Sequence, residues 1–227
     1  MSLKQKLVAE WLGTAFLLAV IVGSGIMGSQ LSNGNNAIAL LGNTLPTGAI
    51  LVVLILVFGP ISGAHFNPAV SLAFYLRKEI SLQHSILYLF AQLSGAICGV
   101  IIAHLMFDMA LLDISTNDRT GIGKWSGEFV ATFGLIMTIL GCLKTKPDAI
   151  PYAVGLYITA GYWFTSSTSF ANPAVTIARG FTDSFSGINP NHIFSFILAQ
   201  LVATIAATCL LNWLFKNSPN HSTPNEE

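Results

Sequence analysis

From Trp11 to Leu76 the chain runs for 66 residues without an Asp, Glu, Lys or Arg. A water-soluble domain carries about 25% charged residues, whereas this chain carries 9%, with 53% hydrophobic residues. Further uncharged runs cover Ile80–Phe107, Ala149–Ala178 and Ser184–Phe215. A helix needs roughly 20 apolar residues to cross a bilayer, so the first run alone holds two crossings and more. The pattern specifies an all-α membrane protein with the lipid bilayer as its solvent. The net charge is zero, which gives no electrostatic reason to expect a nucleic-acid partner.

The start, Met1-Ser-Leu-Lys-Gln-Lys, leads into an apolar segment that continues without a small-residue cleavage site, so it reads as a retained first helix. Cys98, Cys142 and Cys209 all lie inside apolar runs and read as small buried hydrophobes. No Ser/His/Asp or Cys/His grouping and no metal-ligand spacing is evident, so no enzyme, metal or cofactor is expected. His84, His104, His192 and His221 are scattered and read as interfacial or solvated. The polar tail 217–227, with Pro219 and Pro224, reads as disordered.

Membrane helices are expected near 7–29, 45–59, 83–106, 125–143, 150–164 and 192–215. With the N-terminus cytoplasmic, Lys4, Lys6, Arg77, Lys78, Lys144, Lys146 and Lys216 fall inside, and only Arg119, Lys124 and Arg179 fall outside. This obeys the positive-inside rule and places both termini in the cytoplasm. Two of the six helices are short, near 15 residues, and each is followed by an uncharged segment too polar to cross.

Those two segments match. His65-Phe66-Asn67-Pro68-Ala69-Val70-Ser71 aligns with Phe170-Ala171-Asn172-Pro173-Ala174-Val175-Thr176 at an offset of 105 residues. Glu10 and Thr14 match Glu128 and Thr132, and Ala91-Gln92-Leu93 matches Ala199-Gln200-Leu201, at offsets of 118 and 108. The chain therefore reads as a duplicated three-helix unit, residues 1–110 and 111–216. An odd number of crossings per unit turns the second copy over, giving an inverted repeat with discontinuous helices meeting near the midplane.

Asn is a favoured N-cap and Pro a favoured first helical residue, so each Asn-Pro-Ala starts a helix. The two half-helices, 67–76 and 172–181, are too short to span. Each start carries roughly half a positive charge, and two of them face each other. Irregular backbone at membrane depth is tolerated only when buried or lining a wet cavity. A file of water or small hydroxylated molecules would satisfy that backbone, while Asn67 and Asn172 donate to the passing oxygen and the helix ends repel cations. The residues thus specify a pore for neutral hydrogen-bonding solutes.

With six helices, "SGAHFNPAV" after the second, "ANPAV" after the fifth and Glu in the first and fourth, residues 7–215 resemble the aquaporin and glycerol-facilitator (major intrinsic protein) family. The resemblance implies that fold, a homotetramer, and passive passage of water and small uncharged solutes across a cell membrane. It further implies pore-lining roles for His65 with the carbonyls of Gly63, Ala64 and His65, and for Thr168, Ser169 and Phe170 on the other side. Glu10 and Glu128 resemble buried carboxylates that brace the loops; the alternative for Glu10 is an interfacial position near Lys6.

The family narrows its outer mouth with an arginine directly after the second Asn-Pro-Ala. Here that residue is Val175. By resemblance the rest of the constriction is Thr47, Ser169 and a fifth-helix residue, either Tyr162, favoured by matching Gly155 and Gly161, or Ala160 by gapless counting. A valine at this place resembles a bacterial subgroup associated with arsenic resistance, which implies metalloid hydroxides such as arsenous acid among the solutes. Arg179, four residues after Val175, reads either as a displaced guard charge in the outer vestibule or as a structural residue paired with Asp183 or helix-end carbonyls. A proton-coupled transporter on the same scaffold would need a titratable residue at the midplane, and His65 is the candidate.

Overall fold

The computed structural model describes residues 1–216, and the tail expected to be disordered lies outside them. It contains eight α-helices among those residues: α1 Leu3–Leu31, α2 Asn36–Ser62, α3 Pro68–Leu76, α4 Leu82–Met106, α5 Ile122–Thr145, α6 Ile150–Phe164, α7 Pro173–Ala178 and α8 Pro190–Leu214. Five of them, α1, α2, α4, α5 and α8, are long and apolar enough to cross a membrane. The sixth crossing, α6, is 15 residues long and is fed by a 3-10 turn over Pro147–Ala149. The helices α3 and α7 are the half-helices, and α7 runs on into a 3-10 turn over Arg179–Phe181.

The second helix differs from the expected 45–59. It starts at Asn36 and runs 27 residues, so only α6 is short. Residues 36–44, left outside the expected helix, belong to it, and the polar groups of Asn43, Thr44 and Thr47 are satisfied inside the bundle. The Asn43 amide donates to the Ile21 carbonyl at 2.8 Å and to Ser24 Oγ at 2.9 Å. The Thr44 and Thr47 hydroxyls return to the carbonyls of Leu40 and Asn43.

In the first half α1 packs on α2 and α4, in the second half α5 packs on α6 and α8, and α2 against α6 joins the halves. That joint is a contact of two glycines. A Cβ on Gly155 would stand 2.7 Å from the Gly48 carbonyl oxygen, and one on Gly48 would stand 3.0 Å from that of Gly155. Small residues let membrane helices approach to this distance, where dispersion and backbone contacts hold them.

The half-helices point in opposite directions. At its end α3 meets the C-terminal end of α8, where Arg77 Nη1 donates to Asn212 Oδ1 at 2.6 Å. Gln92 of α4 reaches Ser71 of α3 at 3.1 Å, while His104, twelve residues further along α4, meets Thr182 just beyond α7 at 2.8 Å. Twelve helical residues span about 18 Å, so the far ends of α3 and α7 lie toward opposite ends of the bundle. Their starts abut.

Candidate pore

Each half-helix begins as its sequence dictates. Asn67 Oδ1 accepts from the Ala69 amide at 2.8 Å, and Asn172 Oδ1 accepts from those of Ala174 and Val175 at 3.0 and 3.3 Å. The other end of each side chain crosses to the opposite loop. Asn67 Nδ2 donates to the Ala171 carbonyl at 2.7 Å, and Asn172 Nδ2 donates to the Phe66 carbonyl at 2.8 Å. An amide carries two hydrogens, so each asparagine braces the other half with one and keeps one for the cavity that both line.

The loops leading to these starts are tightly folded. Gly63 (φ +89°), Ala64 (+50°), Phe66 (+48°), Thr168 (+65°), Ser169 (+51°) and Ala171 (+48°) occupy the left-handed region, which is uncommon for residues with a side chain. Two fully buried carboxylates hold them there. Glu10 Oε1 accepts from the Ser62 hydroxyl (2.6 Å) and the His65 amide (2.9 Å); its Oε2 accepts from the Phe66 amide (2.7 Å) and Gln92 Nε2 (2.8 Å). Glu128 takes the amides of Phe170 (2.8 Å) and Ala171 (2.9 Å) and Gln200 Nε2 (2.6 Å). Glu10 is therefore a brace and not an interfacial residue. Gathering the amides on one side leaves the carbonyls of Gly63, Ala64, His65, Thr168, Ser169 and Phe170 without a protein donor among the described residues.

Sequence reasoning missed Gln92 and Gln200 as members of these braces, although the repeat flagged both. Each also donates to the half-helix beside it, Gln92 to Ser71 Oγ at 3.1 Å and Gln200 to Thr176 Oγ1 at 2.9 Å. His104, read as interfacial or solvated, is fully buried and ties Thr182 Oγ1 (2.8 Å) to the Leu111 carbonyl (3.1 Å). The cysteines read as buried are half-buried at Cys98 and Cys142 and exposed at Cys209. His221 lies outside the described residues.

One cavity of about 590 Å³ passes both asparagines. It extends from Pro147, Asp148 and Ile150 at the α5–α6 turn, past His65, to Thr47, Tyr162, Ser169, Val175 and Arg179. Its long walls are apolar, with Leu51, Ile55, Ile139 and Ile158. His65 is held at the wall by Ser71 Oγ at 3.0 Å and by the rings of Phe74 and Tyr88, with centroids 4.5 and 5.3 Å away. Thr168 is not on the cavity; its hydroxyl accepts from Arg119 Nη1 at 3.4 Å.

At the Val175 end of the cavity Tyr162 donates to Thr47 Oγ1 at 3.3 Å, and Ala160 is exposed. Ser169 lies so close to Gly161 that a Cβ there would stand 2.6 Å from its Oγ. Arg179 is 1% exposed and is among the residues that line this cavity. Its Nε donates to the Ser186 carbonyl, and its guanidinium carbon sits 3.4 Å from the Phe170 ring centroid. Asp183, one of the partners expected for a structural Arg179 beside helix-end carbonyls, accepts instead from the Thr116 amide (2.9 Å) and hydroxyl (3.0 Å).

The loop between α4 and α5 folds over the α7 turn. Asp113 and Ser115 amides donate to the carbonyls of Phe181 and Gly180, both at 3.1 Å, and Asn189 donates to Asn117 at 2.8 Å. Arg119 of this loop donates to the carbonyls of Gly187 (2.7 Å) and Phe185 (3.1 Å) and stands 5.2 Å from the Phe170 centroid. Burial pulls its guanidinium down from the usual range. A second, polar recess of about 570 Å³ opens here, lined by Arg119, Lys124 and Asp183 among others.

Comparison with known proteins agrees with this geometry. The family model described as Major intrinsic protein matches residues 1–161. The chain is 52% identical over 215 residues to Aquaglyceroporin AqpS of Rhizobium meliloti (strain 1021), covering 95% of this chain and 92% of that protein. It is 33% identical over 189 residues to Probable aquaporin TIP1-1 of Oryza sativa subsp. japonica, covering 74% and 71%. Among solved structures, the aquaglyceroporin from Plasmodium falciparum matches with a TM-score of 0.68 at 22% identity, covering 96% of this chain and 97% of that one.

Proposed function

The chain belongs to the major intrinsic protein family and is a passive membrane channel for water and small neutral solutes; from that premise we propose which solutes pass and which residues select them. The solutes are small polyhydroxylated or carbonyl compounds of glycerol size and neutral metalloid hydroxides such as arsenous acid. One observation carries this reading: Thr47, Tyr162 and Ser169, three hydroxyl residues, line the cavity together with Val175, which adds no polar group. The Thr47 and Tyr162 protons are spent on Asn43 and Thr47, so their oxygens act as acceptors that replace part of the hydration of an uncharged solute, and the apolar wall accommodates its carbon or metalloid body. The 52% identity to a protein named an aquaglyceroporin supports the same class.

In this proposal Asn67, Asn172 and the loop carbonyls form the hydrogen-bonding track, and the paired half-helix starts exclude cations. Residues 1–110 and 111–216 act as two inverted repeats, and the protein works as a homotetramer in the plasma membrane with both termini in the cytoplasm. The excess of Lys and Arg on the Arg77 side supports that orientation. Stopped-flow light scattering of proteoliposomes challenged with sucrose, glycerol and urea, with arsenite uptake in parallel, tests the reading. Non-saturating flux of water, glycerol and arsenite independent of any proton gradient is expected. Flux driven by a proton gradient would make the protein a coupled transporter instead.

A further inference from the structure

Two residues that line the cavity carry a buried polar atom with no protein partner among the described residues: Ser169 Oγ and Arg179 Nη1. Leaving a buried donor unmatched is expensive, and more so for a charged group, so something other than protein must meet them. Their placement follows from helix geometry. Val175 and Arg179 are four residues apart, so both side chains lie on one face of α7 and its closing turn. Helical side chains lean toward the N-terminus of their own helix and cover the turn before their Cα. The Arg179 side chain therefore reaches back over the ground that a valine leaves uncovered.

The guanidinium is fixed there. Its Nε bonds the Ser186 carbonyl, Ser186 is itself anchored through its hydroxyl to the Ile21 carbonyl at 3.0 Å, and the Phe170 ring lies against it. Arg119, on the far side of the outer loop, spends its own donors on Gly187, Phe185 and Thr168. Asp183 is engaged by Thr116. Of the two arginines, Arg179 alone lines the cavity and carries an unmatched buried nitrogen.

We propose that Arg179 is a specificity-determining residue of the constriction, and that its Nη1 and Ser169 Oγ together form a subsite for the oxygen of an uncharged hydroxyl- or carbonyl-bearing solute. The subsite is delivered from one turn beyond the Asn-Pro-Ala-Val sequence. Water, being small, finds the hydroxyls of Thr47 and Tyr162 without it; urea and glycerol need a donor at this point as they shed hydration. The inference rests on the channel reading above and deepens it.

The test uses the full chain purified in detergent and reconstituted, with Arg179→Met, which keeps an unbranched side chain but removes the donor. Monodispersity and thermal unfolding establish that the variant is folded. Stopped-flow permeabilities for urea, glycerol and water are then compared as ratios. The urea-to-water and glycerol-to-water ratios are expected to fall about threefold to tenfold, the scale of one lost hydrogen bond to a charged donor partly replaced by water. Arg179→Lys restores part of the loss, because it returns a cationic donor without the planar fork. Ratios that stay within about twofold of wild type, or that rise, in folded Met protein overturn the proposal. Should the Met variant not fold, the Lys variant decides by the same ratios: a fall supports the subsite and no change overturns it. Absence of flux in the wild type sinks the channel reading itself, which keeps the two failures distinct.

Discussion

Replacing Glu10 by Gln exchanges one oxygen for an NH2 group and tests the brace directly. The carboxylate accepts four hydrogen bonds, two on each oxygen. Two of the donors can adapt. The Ser62 hydroxyl can rotate, and the Gln92 amide can flip, since its Oε1 has no partner. The other two are backbone amides, of His65 on one oxygen and Phe66 on the other, and neither can turn away. Whichever way the glutamine sits, one backbone N–H faces another donor. An orphaned buried donor costs about 1–3 kcal/mol, and losing the charge weakens the remaining bonds by about as much as one neutral bond is worth. The sum is about 2–4 kcal/mol, a large share of the ~5–15 kcal/mol that folded proteins have. At about 2–4 °C per kcal/mol for a chain of this size, the unfolding midpoint in detergent should fall on the order of 5–15 °C. Water permeability per reconstituted protein should fall with it, because Gly63–Phe66 would no longer be held in its left-handed turns. A midpoint within about 2 °C of wild type, with unchanged water flux, refutes the brace.

Three further outcomes follow from distances already given. Tyr162→Ala should raise glycerol flux relative to water by removing the ring that closes on Thr47, whereas Ala160→Leu, on the exposed face of α6, should leave the ratio unchanged; the reverse result would put the fifth-helix position at 160. Asn172→Asp keeps the cap acceptor for Ala174 and Val175 but sets an oxygen against the Phe66 carbonyl. It should cost about 1–3 kcal/mol and let potassium through in dilution-potential measurements, and intact ion exclusion would count against midplane charge control. Gly155→Ala places a methyl 2.5 Å from Val52 Cγ2 and 2.7 Å from the Gly48 oxygen, so overpacking of about 1–3 kcal/mol should lower the unfolding midpoint. Gly141→Ala, where nothing lies within 4 Å, should not lower it.

What was legible in the sequence was whatever depends on local chemistry or on the repeat. Asn-Pro-Ala announces a helix start because the cap and the missing proline N–H act within four residues, and both starts fall at the expected Asn67 and Asn172. The paired Glu10 and Glu128 stood out because charge at membrane depth is rare and usually has a task. What failed was what depends on partners distant in sequence. The second helix is expected only from about 45, and its start at Asn36 makes sense once Ile21 and Ser24 are seen to take the Asn43 amide. His104 looks solvated until the segment after α7 folds back on it. Asp183 is the obvious neighbour for Arg179 by spacing, yet the loop between α4 and α5 claims it through Thr116. No periodicity in either segment encodes that choice.

The crossed asparagine bonds have a mechanical consequence. Each half-helix start is clamped to backbone of the other half, Asn67 on Ala171 and Asn172 on Phe66. A lengthwise slip of one repeat past the other must therefore break both clamps in the same stroke, with no intermediate in which one compensates. The waist behaves as a rivet: the two half-helix starts move together or not at all.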